Sequence, residues 1–445
     1  MVRRLIALSL LAGVVLPANA QRGTIVIAGV SVVPMDREEV LQNQTVIVEN
    51  GRITYVGAQR NPPTGATVVD GRGKFLMPGI AEFHAHVPNG AVAHRALTLY
   101  ALAGVTTARG MLGQPAHLAL RDSIRNGQLF GPRVLTSGPS FNNNSVSSPG
   151  VAITMVTDQK NAGYDLLKIH PGVPRVAFDS LAATANRLRI PFSGHVPLEV
   201  GLDVAITAKY STIDHLDGFI EAMYNGPQPL TAAVDGFFGL GIVRQLDTSR
   251  FQPIVERVKA SGVAMVPTQI LMDNYTNDKT GEQLTSGPEF RYWLPQVVTN
   301  WRNMKNNLLE QPPAPREQQQ EFTALRRRFI KTLYDSGVPF LLGSDAPQFW
   351  NVPGFSAHRE LGALVAAGLT PYQALRTGTV NVARFLGEEG VSGVVRQGAR
   401  ADLILVDGNP LQDIANTLRI SGVVVNGRWI GAAERNAMLA SLATP

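Results

Sequence analysis

The chain has 445 residues, 44% of them hydrophobic and 17% charged, and no cysteine. That composition can bury a large core, and it excludes a disulfide framework, thiolate metal ligation and lipid attachment through sulfur. The formal charge of +6 falls to +4 once Arg3 and Arg4 are removed, and the other basic residues are scattered, which argues against a nucleic-acid partner.

In chain order, residues 1–20 read as an export signal. Arg3 and Arg4 precede an apolar stretch from Leu5 to Leu16, and Ala18-Asn19-Ala20 forms a small-residue cleavage site. The stretch is too short to span a bilayer comfortably. A periplasmic or secreted protein without a stable membrane anchor is therefore expected. Residues 21–74 carry short alternating strands, and the same texture returns in residues 390–445. Neither end can bury a sheet alone, so the two are expected to combine into one composite β-sandwich.

Between them, residues 75–389 alternate short apolar strands with helical stretches, the pattern of an α/β (β/α)8 TIM barrel. The strands are expected near Ile80 to Val87, Val105 to Met111, Arg133 to Ser137, Leu166 to His170, Pro191 to Val196, Thr212 to Leu216, Ala264 to Ile270 and Phe340 to Asp345. Residues 271–320 exceed an ordinary strand-to-helix connection and read as a lid-like insertion. Its Tyr275, Phe290, Tyr292, Trp293 and Trp301 suit stacking on a bulky substrate, packing of a small core or an oligomer interface. A homo-oligomer is thus left open. Arg326-Arg-Arg328 reads as a solvated helix face, and His94, His117 and His358 as helix or surface residues.

Barrel enzymes place their chemistry at the C-terminal strand ends. The first strand ends in His84 and His86, which share a face because side chains alternate along a strand. Two such imidazoles make half of a divalent metal site or, more plainly, a pair of hydrogen-bonded histidines. Lys168 sits in an apolar strand, where a bare ammonium is costly to bury. It can be ion-paired or snorkelling, or it can be deprotonated and react with carbon dioxide to give a carbamate ligand. His195 and His215 end the fifth and sixth strands, and Asp345 ends the eighth, where an ordinary helix cap is the competing role.

Taken together, His84-x-His86, Lys168, His195, His215 and Asp345 resemble the amidohydrolase superfamily in its binuclear, carboxylated-lysine form, like imidazolonepropionase or Xaa-Pro dipeptidase. Met77-Pro78-Gly79, Thr370-Pro-Tyr-Gln-Ala374, Thr379-x-Asn381-x-Ala383 and Gly398-Ala-Arg-Ala-Asp402-Leu add to the likeness. The resemblance implies that His84, His86 and Asp345 hold one ion, and that His195 and His215 hold a second. Carboxylated Lys168 would bridge them. It further implies a hydroxide nucleophile between two divalent ions, zinc by default, with Asp345 moving a proton to the leaving nitrogen.

Three departures bear on substrate. Glu82 stands where the family usually has Asp, either orienting a ligand or completing a polar layer. Leu198 stands where related deaminases carry a catalytic Glu, and no Tyr lies between His195 and Gly201, where dipeptidase-like relatives often have one. Tyr224 is a weak substitute and His170 a weak substrate contact, each with a packing or loop role as its rival. The expected function is hydrolysis of amide or peptide C–N bonds in small molecules such as dipeptides or N-acyl amino acids. The alternatives are a cyclic amide hydrolase of the imidazolonepropionase or hydantoinase sort, or a non-catalytic binding protein on the same scaffold.

Overall fold

The computed structural model describes residues 23–443. The export signal expected at 1–20 lies outside the described residues. Strands β1 (Ile25–Val32), β2 (Leu41–Glu49), β3 (Arg52–Gly57), β4 (Thr67–Asp70) and β5 (Phe75–Pro78) open the chain, and β13 (Leu403–Val406), β14 (Ile420–Val425) and β15 (Arg428–Gly431) close it. Both ends enter one sheet of order β15-β14-β13-β5-β1-β2-β3, with β4 pairing on β1. The seam is the antiparallel pairing of β13 with β5, Leu403 opposite Pro78 and Val406 opposite Phe75. The sandwich expected of the two ends is, in hydrogen-bonding terms, one eight-stranded sheet. Ile25, Ile27 and Val30 from the start pack with Leu403, Leu405 and Val424 from the end in one apolar cluster. Neither end could bury that surface without the other.

The intervening chain supplies β6 (Ile80–Ala85), β7 (Val105–Gly110), β8 (Arg133–Thr136), β9 (Leu167–Ile169), β10 (Phe192–Gly194), β11 (Thr212–Asp214) and β12 (Ala264–Val266). They form two parallel sheets, β6-β7-β8 and β12-β11-β10-β9. These are seven of the eight expected strand positions, each shortened at its C-terminal end. Phe340–Asp345 is the exception: it is an extended segment held by isolated parallel bridges, Phe340 to Met265 and Ala346 to Ala85. Within it Gly343 packs so closely that a Cβ would come within 2.4 Å of Val266 and 2.8 Å of the His84 side chain. A third bridge, Ser137 to Leu166, links the two sheets.

Residues 271–320 are largely helical, with long helices over Pro295–Glu310 and Arg316–Asp335. Phe290, Tyr292, Trp293 and Trp301 are all buried there, so packing accounts for them. Arg326 corrects the reading of a solvated face. It is 1% exposed and donates to the carbonyls of His215 (2.7 Å) and Pro267 (3.0 Å) and to Gln269 Oε1 (3.1 Å). His358 is likewise buried, between Thr417 Oγ1 and the Ala103 carbonyl. No helix among the described residues is long and apolar enough to cross a membrane.

Candidate metal centre

The strand ends converge as the side-chain parity requires. His84 and His86 leave β6 on the same face, with ring centroids 5.5 Å apart. His215 follows β11 at once, and its ring lies 4.5 Å from that of His84 and 4.4 Å from that of His195, which follows β10. Asp345 Oδ1 is 2.8 Å from His86 Nε2 and 3.4 Å from His84 Nε2. Lys168, in β9 and fully buried, brings Nζ to 3.2 Å from His84 Nε2. All six expected ligands are thus brought into one cluster.

Among the described residues, His84, His215 and Asp345 form a group that could hold a metal ion, each offering a ligand atom within 4.8 Å of the others. His215 Nε2 and Asp345 Oδ1 are buried with no hydrogen-bond partner, although two imidazole nitrogens crowd the carboxylate oxygen. Unpartnered buried polar atoms are costly. A divalent cation fits this donor set, because it would satisfy a lone pair on each atom at once.

The electrostatics favour neutral, lone-pair-bearing ligands. Burial drives the His84 and His215 imidazoles well below their usual range and brings His195 to about 3, with Lys168 adding repulsion at His84 and His195. Burial also lowers Lys168 itself to about 8, against the pull of Asp214 and Asp345.

The backbone is held in uncommon conformations where these groups project. His215 (φ 63°), Leu216 (φ 56°), Thr268 (φ 47°) and Asp345 (φ 63°) all occupy the left-handed region. Each such residue costs on the order of 1–3 kcal/mol and persists where surrounding contacts over-determine it. Arg326 supplies one such contact through the His215 carbonyl.

Several residues with no role assigned from sequence hold these side chains in place. Asp217 Oδ2 is 2.6 Å from His195 Nδ1, and Thr268 Oγ1 is 2.8 Å from His215 Nδ1. Asp214 Oδ2 lies 2.8 Å from His84 Nδ1, off the line of a hydrogen bond. Asp214 also accepts from Thr212 Oγ1 (2.6 Å) and faces the buried Arg109, which donates to the Phe83 carbonyl (2.6 Å). Gln348 Nε2 stands 3.2 Å from His86 Nδ1. The one sequence signal for this set is Arg109, the lone charged residue of the buried strand β7. Glu82 ties β6 to the eighth segment, accepting from Ser344 N (2.6 Å) and Ser344 Oγ (2.9 Å).

The weaker candidates divide. The His170 ring stacks on that of His195, centroids 5.1 Å apart at 28°, and burial lowers it to about 2. Tyr224 turns to its own loop, its hydroxyl donating to the Gln228 carbonyl at 2.9 Å. No hydrogen bond or ring contact among the described residues joins it to the histidines.

Comparison with known proteins bears on this arrangement. Ochratoxinase of Aspergillus niger is 22% identical, over 90% of this chain and 84% of its own. Among solved structures, a bottromycin amidohydrolase superposes with a TM-score of 0.72 at 23% identity, covering 96% of this chain and 92% of its own. A Xaa-Pro dipeptidase superposes at 0.66 and 17% identity, covering 92% of this chain and all of its own. The model of the amidohydrolase family matches residues 75–430, most of the chain and every residue of the cluster. The chain therefore belongs to the amidohydrolase family.

Proposed function

We propose that this protein is a two-metal amidohydrolase that cleaves amide or peptide bonds of small molecules such as dipeptides or N-acyl amino acids. Family membership makes it a hydrolase of carbon–nitrogen bonds. The observation that carries the finer reading is the convergence of His84, His215 and Asp345 with two buried ligand atoms unpartnered. The names of its relatives, an ochratoxinase, a bottromycin amidohydrolase and a Xaa-Pro dipeptidase, support small amide substrates without choosing among them.

In this reading His84, His86 and Asp345 would hold one ion and His195 and His215 a second, with Lys168, as its carbamate, a further oxygen ligand. When bound, divalent ions, zinc by ligand type, supply Lewis acidity and bring the pKa of a water near neutrality. The protein's own residues do the rest. Asp217 and Thr268 hold the ring orientation of His195 and His215. Asp345 accepts a proton on its carboxylate and returns it to the leaving nitrogen. Arg109 faces Asp214 beneath the cluster and pairs with its buried carboxylate at 3.4 Å.

The wider architecture follows the same reading. The two parallel sheets and Phe340–Asp345 are taken as the eight staves of a (β/α)8 barrel that begins at Ile80, after β5, rather than at residue 75; it is flanked by the sheet that both chain ends build, β5 (Phe75–Pro78) included. The three isolated bridges support closure, since they link the sheets on both sides. Residues 1–20 are taken as a removed export signal, giving a periplasmic or secreted enzyme.

The test is metal analysis of protein purified without chelator, followed by amine release from a panel of dipeptides and N-acyl amino acids. About two ions per chain with release of amine is the expected result. One ion and no release would retire the binuclear reading and leave Lys168 an ordinary buried lysine.

A further inference from the structure

We infer that the turn carrying Phe237 and Phe238 determines specificity, selecting substrates with a flat aromatic ring next to the scissile bond. The inference rests on the amide-hydrolase reading above. Phe238 is half-buried, and its ring lies 6.0 Å from that of His195 at 26° and 5.4 Å from that of His215. A substrate whose reacting carbon reaches these histidines has Phe238 within about one ring's width. Aromatic faces prefer such offset neighbours at roughly 4.5–7 Å.

The phenyl group is built into place. Phe238 adopts φ 53°, a left-handed conformation that a bulky residue rarely accepts. The turn around it is closed by Gly241 N donating to the Asp235 carbonyl (2.8 Å) and Leu240 N to the Phe237 carbonyl (3.0 Å). Gly241 admits no side chain, since a Cβ would lie 2.3 Å from the Val234 carbonyl oxygen. Behind Phe238, the Phe237 ring packs edge-on at 4.7 Å and itself stacks on Tyr275 at 3.7 Å and 11°. Three aromatic rings therefore form a braced wall on the His195 and His215 side. Across the cluster, His86 meets the polar amide of Gln348. A small polar substrate would leave the phenyl face wet, whereas a flat apolar ring covers it.

The experiment compares metal-loaded wild type with Phe238→Leu, which keeps apolar bulk, and Phe238→Tyr, which keeps the ring. The readouts are the kcat/KM ratios of N-benzoylglycine to N-acetylglycine and of N-acetylphenylalanine to N-acetylalanine, with calorimetric binding of benzoate. At least one ratio should favour the aromatic member in wild type and fall about tenfold in Phe238→Leu, with benzoate binding weakened in parallel. Phe238→Tyr should retain both. The pair that responds tells whether the ring sits on the acyl or the amine side. Ratios and benzoate affinity unchanged in Phe238→Leu would overturn the inference. If no amide is cleaved but benzoate binding still depends on Phe238, the aromatic wall stands and the hydrolase reading falls.

Discussion

Replacing Asp217 tests whether the ligands depend on the groups behind them. Asp217 is 8% exposed and its Oδ2 lies 2.6 Å from His195 Nδ1; burial raises its carboxyl to about 8, so the bond becomes charge-assisted as the pH rises through that value, where the comparison is made. Such bonds contribute about 1.5–3 kcal/mol, against about 0.5–1.5 for a neutral pair. Asp217→Asn keeps the shape and one acceptor oxygen but loses the charge. At about 1.4 kcal/mol per factor of ten, it should weaken metal binding at the His195 side about tenfold. Asp217→Ala removes the bond, frees the ring to rotate and should cost about 10–100-fold in metal affinity or activity. The assay is calorimetric titration of zinc into metal-free protein, run beside kcat/KM and thermal unfolding of the same samples. Wild-type affinity at every site in Asp217→Ala, with only a lower melting temperature, would refute the argument and leave Asp217 a packing residue.

Three further outcomes follow from the same geometry. Asp345→Asn should retain metal yet lose roughly 10²–10⁴-fold in kcat, the usual worth of a positioned acid–base group; an unaffected rate in steady-state assays would end its proton-transfer role. Lys168→Met should drop occupancy to one ion, and carbon-13 NMR in labelled bicarbonate should show a carbamate signal in wild type alone; two tightly held ions in the variant would rule out the bridge. Arg326→Met strands three acceptors at His215, Pro267 and Gln269 and removes a cation facing Asp217 and Glu360, so denaturant unfolding should register a loss of about 3–5 kcal/mol. A loss under about 1 kcal/mol would mean those carbonyls find other partners.

What could be read from sequence divides along a physical line. The convergence of His84, His86, Lys168, His195, His215 and Asp345 was legible because strand parity and strand ends are local properties. An apolar run that stops at an imidazole or a carboxylate states where that side chain goes. The eighth strand was legible in position but not in kind: an apolar run states extended backbone, whereas pairing depends on how the run meets β6 and β12, which it does through bridges at Ala346 and Phe340. Arg326 was misread for the same reason. Three consecutive arginines on a helix report charge, and only the docked helix directs one of them under the His215 carbonyl. Asp217 and Thr268 were invisible as supports because their partners are distant in sequence or face them only across the left-handed backbone after β11 and β12. Phe238 is the limiting case. Nothing in Gly236-Phe-Phe-Gly239 announces a ring beside two histidines, since that placement depends on a turn conformation that phenylalanine seldom adopts. The reacting groups of such a site are written in strand pattern, while the contacts that aim them and choose the substrate are written in tertiary geometry. Substitutions at Asp217 and Phe238 should therefore separate metal affinity from substrate choice, whereas removing the imidazole of His84 or His215 should abolish both together.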